Sequence, residues 1–315
     1  MVEFTIFTGT YNSEEIIDRV FQSINSQTYR EFEWIVIDDC SKDNTVAKVT
    51  AFKSKHLELP ITIIKHEKNT GIARSRKEAI QLAKGKYFVT WDHDDIQDSN
   101  QLEVFQRLWK LDQNGNVAFI FTKMKDQFGS ILGINFPSDP FNSNYLKVYN
   151  SHLVGNASKG NVVEHHVCAK TAKYVEVLEY YENHPQLLLG RLPNGADVWA
   201  MLAYLGYDSL FTNVPVRTYY INEPGRFSMS SAKRKDNPER IYCNKLLWVN
   251  FFDTKLGFSE IKFKLRNIFA VAMYGFLAKK SFKEIHSDVN NYLNKILLLF
   301  ACLPAKIFAN RFSKE

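Results

Sequence analysis

Glu33-Trp34-Ile35-Val36-Ile37-Asp38, followed at once by Asp39-Cys40-Ser41-Lys42-Asp43, is the stretch that decides the fold. A short apolar, β-rich run cut off by a polar turn reads as a buried strand. Its neighbours fit that reading on both sides. Upstream, Phe4–Thr8 is a second such run, ending at Gly9. Ser13 and Glu14 then open a helix whose Ile16, Ile17, Val20, Phe21 and Ile24 fall on one face. Downstream, Thr45–Lys55 reads as a helix and Ile61–Lys65 as a strand. Asn69-Thr70-Gly71 turns into a helix over 72–83, Gly85 breaks it, and Tyr87–Trp91 is a fourth strand. Strands alternating with helices imply parallel βαβ units.

The same pass predicts a helix over 100–111, a strand over 117–123, irregular chain from 126 to 166, a helix over 198–205 and β-like chain over 210–221. Helices follow Ile241 to the end. The expected fold is α/β: a mostly parallel, Rossmann-like sheet flanked by helices, with a C-terminal helical extension. The 315 residues divide into 1–125 and 126–240, two halves of one domain, and 241–315, a basic helical extension.

The net charge of +6 is unevenly placed: from Asp253 onward there are 11 Lys+Arg against 5 Asp+Glu, and the rest of the chain sums to zero. That distribution points to an acidic surface as the partner of the C-terminal segment, with no nucleic-acid role for the body of the chain. Four separated cysteines without CxxC argue against a disulfide framework or zinc site and for a reducing, cytoplasmic setting. Met1 to Phe7 leads straight into a strand rather than a signal peptide. The longest uncharged apolar runs, 268–278 and 296–305, are shorter than the ~20 residues that span a bilayer.

Three strand ends carry chemistry. Asp92-His93-Asp94-Asp95 packs three carboxylates into four residues after a buried strand. Such a cluster repels itself, and a divalent cation shared with phosphate oxygens removes that cost. Asp38-Asp39 and Thr10-Tyr11-Asn12 end two further strands. A carboxylate such as Asp39 can accept the N–H of a pyrimidine or guanine, and Tyr11 offers a face for stacking. Singly, these residues would be read as an acidic turn, an Asx-turn and a half-buried loop aromatic. Their convergence on one sheet edge, where open α/β folds bind ligands, favours the functional reading. Glu164-His165-His166 does not read as a metal site, because adjacent strand residues point to opposite faces. No GxGxxG and no P-loop are present.

From Phe4 to Asp95 the chain resembles the inverting family-2 glycosyltransferases of the A-type nucleotide-diphospho-sugar transferase fold. The matching pieces are Thr10-Tyr11-Asn12, Ser26-Gln27-Thr28-Tyr29, Phe32 to Asp39, Ser41, Asp43 to Thr45, Asn69-x-Gly71 with Arg76, Ala83-x-Gly85-Lys86-Tyr87 and Asp92-x-Asp94-Asp95. The resemblance implies that Asp39 reads the uracil, Tyr11 stacks on it, Thr8 lies in the nucleotide site, Asp94 meets the ribose, Asp95 holds Mn²⁺ or Mg²⁺, and Arg76 lies near the diphosphate. The family's base opens a later helix, which points to Asp197 in Asn194-Gly195-Ala196-Asp197, where Ala196 replaces the usual Glu. Arg226 stands where the family has a lid, and His165 is placed on the acceptor side. The resemblance thus makes 1–125 the nucleotide-sugar-binding half and 126–240 the acceptor-binding and catalytic-base half.

The implied reaction moves one sugar from a nucleotide-sugar, with UDP as the first choice and GDP or dTDP open, to a hydroxyl of a glycan or lipid-linked acceptor in surface polysaccharide synthesis. No Trp follows Arg, so the QxxRW of processive synthases is missing. The basic C-terminal helices could lie on an anionic membrane, making the protein peripheral on the inner face. Two rival readings are a nucleotidyltransferase, which needs a Gly-rich basic loop that residues 8–11 lack, and a non-catalytic nucleotide-sugar or membrane-surface binding module.

Overall fold

The computed structural model describes residues 2–150, 166–188, 191–220, 237–255 and 261–312. The chain forms two compact units, Met1–Tyr180 with Asn194–Glu223, and Tyr181–Pro193 with Pro224–Glu315.

The first unit begins β1 (Phe4–Thr10), α1 (Asp18–Ser26), β2 (Phe32–Asp38), α2 (Thr45–Lys55), β3 (Ile61–Lys65), α3 (Ile72–Leu82) and β4 (Tyr87–Thr90). It continues with β5 (Ile96–Gln97), α4 (Gln101–Trp109), β6 (Val117–Asp126), β7 (Phe141–Ser143), α5 (Tyr145–Asn150), β8 (His166–Lys170), α6 (Thr171–Asn183), α7 (Gly195–Tyr204) and β9 (Asp208–Tyr219). The sheet runs β3-β2-β1-β4-β8-β6-β9-β5, with β7 pairing on β9. Strands β1 to β4 are parallel, as their alternation with helices requires. The sheet as a whole is mixed, because β8 runs antiparallel to both β4 and β6. Parallel pairing holds through the first half and returns in the second between β6 and β9, while β5 and β7 join β9 antiparallel. Two reversals in a row leave β6 parallel to β4, so the C-terminal ends of β1, β2, β4 and β6 share one edge with the start of β8.

The core explains the strand reading. Every residue of β2 is buried, and Trp34 fits because its indole N–H donates to the Thr8 hydroxyl at 3.0 Å. Phe21 stacks on Phe52 and Tyr87 on Trp109, each at 4.5 Å between centroids, in one cluster on one face, and Phe88 meets Tyr174 of α6 at 5.8 Å on the other. Gly85 is required by close approach: a Cβ there would lie 2.4 Å from the Thr5 backbone nitrogen. Between 126 and 166, where irregular chain was expected, β7 and α5 form. Pro215 does not end β9; it sits opposite Lys123 between shifts of register, where a missing N–H is tolerated.

The second unit is helical where described: α8 (Pro238–Asn250), α9 (Ile261–Leu277), α10 (Phe282–Asp288) and α11 (Tyr292–Phe312). Its core gathers Tyr242, Leu246, Val249, Ile268, Val271 and Leu298. The described helix α11 is long and apolar enough, by length and composition, to cross a membrane. Its apolar runs looked shorter in sequence because Lys295 and Lys306 interrupt them.

Candidate functional site

The first two strand ends are laced together before any ligand is considered. The Asn12 amide N–H donates to Ser41 Oγ at 2.9 Å, and Asn12 Oδ1 accepts from the Lys42 N–H at 2.9 Å. Buried Asp38 accepts from Thr10 Oγ1 at 3.0 Å and from the backbone and hydroxyl of Ser41, so it braces the turn. Tyr11 is 48% exposed at this edge, as a stacking platform requires. Thr8 is buried beneath Trp34, so its hydroxyl supports the floor rather than facing a ligand.

Asp39 is the hub of the next corner. Its Oδ1 accepts from His66 Nδ1 at 2.9 Å, from the Thr70 amide at 2.8 Å and from the Thr70 hydroxyl at 3.1 Å. Its Oδ2 accepts from the Gly71 amide at 2.7 Å, which leaves that oxygen room for one further donor. Gly71 has φ +85°, a left-handed geometry that suits glycine and aims its N–H at the carboxylate. Burial works against the charge on Asp39, but the bonds from His66, Thr70 and Gly71 outweigh it and hold its carboxyl below the ordinary range. His66 in turn meets Glu78 Oε2 through Nε2 at 2.8 Å. Burial opposes a charged His66, yet a carboxylate on each ring nitrogen raises its pKa, since only imidazolium donates to both.

The acidic turn after β4 is not a bare cluster. Arg19 Nη1 donates to the Asp94 carbonyl at 2.7 Å, and its guanidinium lies 3.9 Å from the Tyr220 ring centre. Gln101 ties the end of β4 to β9, accepting from the Trp91 indole at 2.7 Å and donating to the Val216 carbonyl at 2.9 Å. That fixes Arg217 of β9 beside the turn. Arg217 Nε donates to Asp95 Oδ2 at 2.7 Å, and its Nη2 reaches both Asp95 and, at 2.6 Å, Asp92. The Tyr220 amide adds a longer bond to Asp95 Oδ1 at 3.3 Å. The Asp95 side chain is fully buried, whereas that of Asp92 is 43% exposed. The Asp92 side chain keeps this contact with solvent, yet the protein packed around it still works against its charge; Arg217 and then Arg76 outweigh that and hold its carboxyl below the usual range.

His166 opens β8 on the far side of Arg217, whose Nη1 lies 3.5 Å from His166 Nδ1. Burial, and then Arg217, push this imidazole down to about 3, so it stays neutral. Its buried Nε2 has no partner among the described residues.

Asp197 arrives on α7, which starts three residues earlier than the apolar pattern suggested. A reciprocal capping box sets that start: Asn194 Oδ1 accepts from the Asp197 amide at 3.1 Å, and Asp197 Oδ2 accepts from the Asn194 amide at 2.9 Å. Asp197 is fully buried. Burial raises the phenols of Tyr145 and Tyr174, the charge of Asp197 adds a smaller push to both, and the Arg76 guanidinium pulls Tyr174 the other way. Arg76 thus acts electrostatically on both Asp92 and Tyr174, and Asp197 on Tyr174, although the four span 121 positions of sequence. His165 and Arg226 lie outside the described residues.

Arg217, His66, His166 and Tyr174 were not singled out as site residues by their own sequence signals. Arg217 carried one such signal, a cation inside the apolar run Val214-Pro215-Val216-Arg217. Among the described residues no group of three His, Cys, Asp or Glu is arranged to hold a metal.

Comparison with known proteins adds a family. Residues 5–168 match the family model described as glycosyl transferase family 2. A glycosyltransferase of Haemophilus influenzae is 31% identical over 121 residues, which is 38% of each chain. The Escherichia coli protein WfgD, a UDP-Glc:alpha-D-GlcNAc-diphosphoundecaprenol beta-1,3-glucosyltransferase, is 35% identical over 100 residues, or 32% of this chain and 38% of WfgD. These matches therefore span well under half the length of either relative. The crystal structure of S. aureus TarS 1-349 with UDP-GlcNAc has the same fold at TM-score 0.59 and 17% identity, covering 99% of this chain and 91% of that one. A mannosyltransferase from Pyrobaculum calidifontis, solved with GDP-Man and Mn²⁺, gives TM-score 0.52 at 17% identity, with 98% of this chain and 83% of that one covered. With more than half of its residues inside the family model, the chain belongs to glycosyl transferase family 2.

Proposed function

We propose that this chain transfers a single sugar from a UDP-sugar to a hydroxyl of a glycan or lipid-linked acceptor, with inversion, in the synthesis of a surface polysaccharide at the inner face of a membrane. The observation that carries the reading is the Asp39 carboxylate, held at the sheet edge beside exposed Tyr11 with one oxygen open to a further donor. The acidic turn after β4 ends a strand on the same edge, Arg76 acts on its Asp92, and Asp197 opens α7 as a buried carboxylate. The relatives' names support a nucleotide-sugar donor and a cell-surface product.

In this proposal Asp39 Oδ2 accepts the imide N–H of the base and Tyr11 stacks on it. Arg76 draws the diphosphate, and Asp94 faces the ribose. Asp197 takes the proton of the attacking hydroxyl, its second oxygen bond to Asn194 holding the carboxylate in line. Because Asp197 is buried, the acceptor must open its surroundings on entry.

A divalent cation, which when bound neutralises charge on a departing diphosphate, suits Asp92 better than Asp95. Asp92 is half exposed, with one oxygen on Arg217, whereas Asp95 is fully buried and bonded to Arg217 and the Tyr220 amide. The expectation of a metal on Asp95 is accordingly moved to Asp92. Calorimetry with UDP, GDP and dTDP, each with and without Mn²⁺, tests the reading. UDP should bind most tightly, and absence of any nucleotide binding would overturn it.

A further inference from the structure

We infer that α11 docks the protein on an anionic lipid surface through the face it turns away from the helical unit, lying in the interface rather than crossing the bilayer. A helix packed on one side normally shows a polar opposite side. This helix does not. Its inner stripe, Asn294, Leu298, Ala305 and Ala309, is buried, and the Asn294 amide group donates to the Val249 carbonyl at 2.8 Å. Its outer stripe is Tyr292, Leu299, Phe300, Leu303 and Ile307, with Tyr292 and Phe300 each 78% exposed and Leu303 67% exposed. A contiguous exposed apolar band of this kind marks an interaction surface.

The charges choose the occupant. From Tyr292 to Phe312 the helix carries Lys295, Lys306 and Arg311 and no acidic residue. Lys306 and Arg311 are exposed, as are Lys262 and Arg266 beside Ile261 and Leu265 in the first turns of α9. The two helices pack together, Phe269 meeting Phe308 edge to face at 6.0 Å. Apolar residues rimmed by cations are what an anionic interface accepts. A second copy offering the same face would set cations against cations. Spanning is ruled out for the folded unit, because the inner stripe and Asn294 are committed to the protein.

The inference builds on the proposed transfer at a membrane but is measured without donor or acceptor. A failed transferase assay leaves it standing, and failed vesicle binding leaves the transferase reading standing. The full chain is spun with vesicles of phosphatidylcholine alone or mixed with phosphatidylglycerol. We expect sedimentation with the anionic vesicles, only partial release by high salt, and much less with neutral ones. Phe300→Ser with Leu303→Ser should weaken vesicle binding by about tenfold or more while the far-ultraviolet dichroism and melting curve stay unchanged. Lys295→Glu with Lys306→Glu and Arg311→Glu should remove the salt-sensitive part and leave the fold intact. No sedimentation of the wild-type chain at low salt would overturn the inference. So would equal binding by the Ser variant, or self-association in solution that the Ser pair abolishes without any effect of vesicles.

Discussion

Arg217 Nε donates to Asp95 Oδ2 at 2.7 Å inside the sheet edge, 122 residues away along the chain. Both side chains are withdrawn from water, and the same guanidinium also serves Asp92. Removing one partner of a buried pair strands the other charge, at a cost of roughly 3–5 kcal/mol. Arg217→Met should therefore lower stability by about that amount in urea melts. Adding Asp95→Asn should recover a large part of it, and an unchanged midpoint for Arg217→Met would contradict the pairing.

Arg217 also bears on where a metal can bind. Asp92→Asn should remove the Mn²⁺ dependence of UDP affinity, read by calorimetry, without unfolding the chain. Were that dependence to survive in Asp92→Asn and vanish in Asp95→Asn, the cation would return to Asp95.

Asp197→Asn keeps an oxygen for the Asn194 amide, so the cap should survive and the melting temperature should barely move. Turnover should fall by ~10²–10⁴, the usual weight of a general base, with UDP affinity unchanged. Asp197→Ala should in addition lose about 1 kcal/mol of stability with the cap. Turnover within a few-fold of wild type in Asp197→Asn would place the base elsewhere.

The corner at Asp39 predicts a pH profile with two limbs. The pKa of His66 is raised in the folded state, so its contribution is complete below the ordinary histidine value and fades as pH climbs through the folded value. The pKa of Asp39 is lowered, so its contribution is present above the ordinary carboxylate value and fades as pH falls through the folded one. Stability against urea should decline as pH rises above about 6.5, and His66→Gln should flatten that limb alone. A slope unchanged by His66→Gln would assign the titration to another group.

What the sequence made legible was local. The runs of β1 to β4 and the turns after them follow from period and turn chemistry and formed near their expected places, whereas the helix carrying Asp197 is capped three residues earlier, by Asn194. What stayed hidden depended on which strands become neighbours. Nothing near Asp95 announces Arg217, because β9 reaches the acidic turn only through the order β8-β6-β9-β5. The antiparallel insertion of β8 was invisible for the same reason, and with it the arrival of His166. His66 was passed over because a histidine at a strand end is ordinary until Asp39 and Glu78 flank it.

The corner at Asp39 has one more consequence. Four donors from the strand and turn that follow already grip this carboxylate, so little ordering remains for a ligand to induce there. If Asp39 reads a base as proposed, recognition becomes a matter of address rather than fit. A ring whose N–H falls on the remaining lone pair of Oδ2 would be accepted at once, and one displaced by an ångström would find no loop willing to follow it.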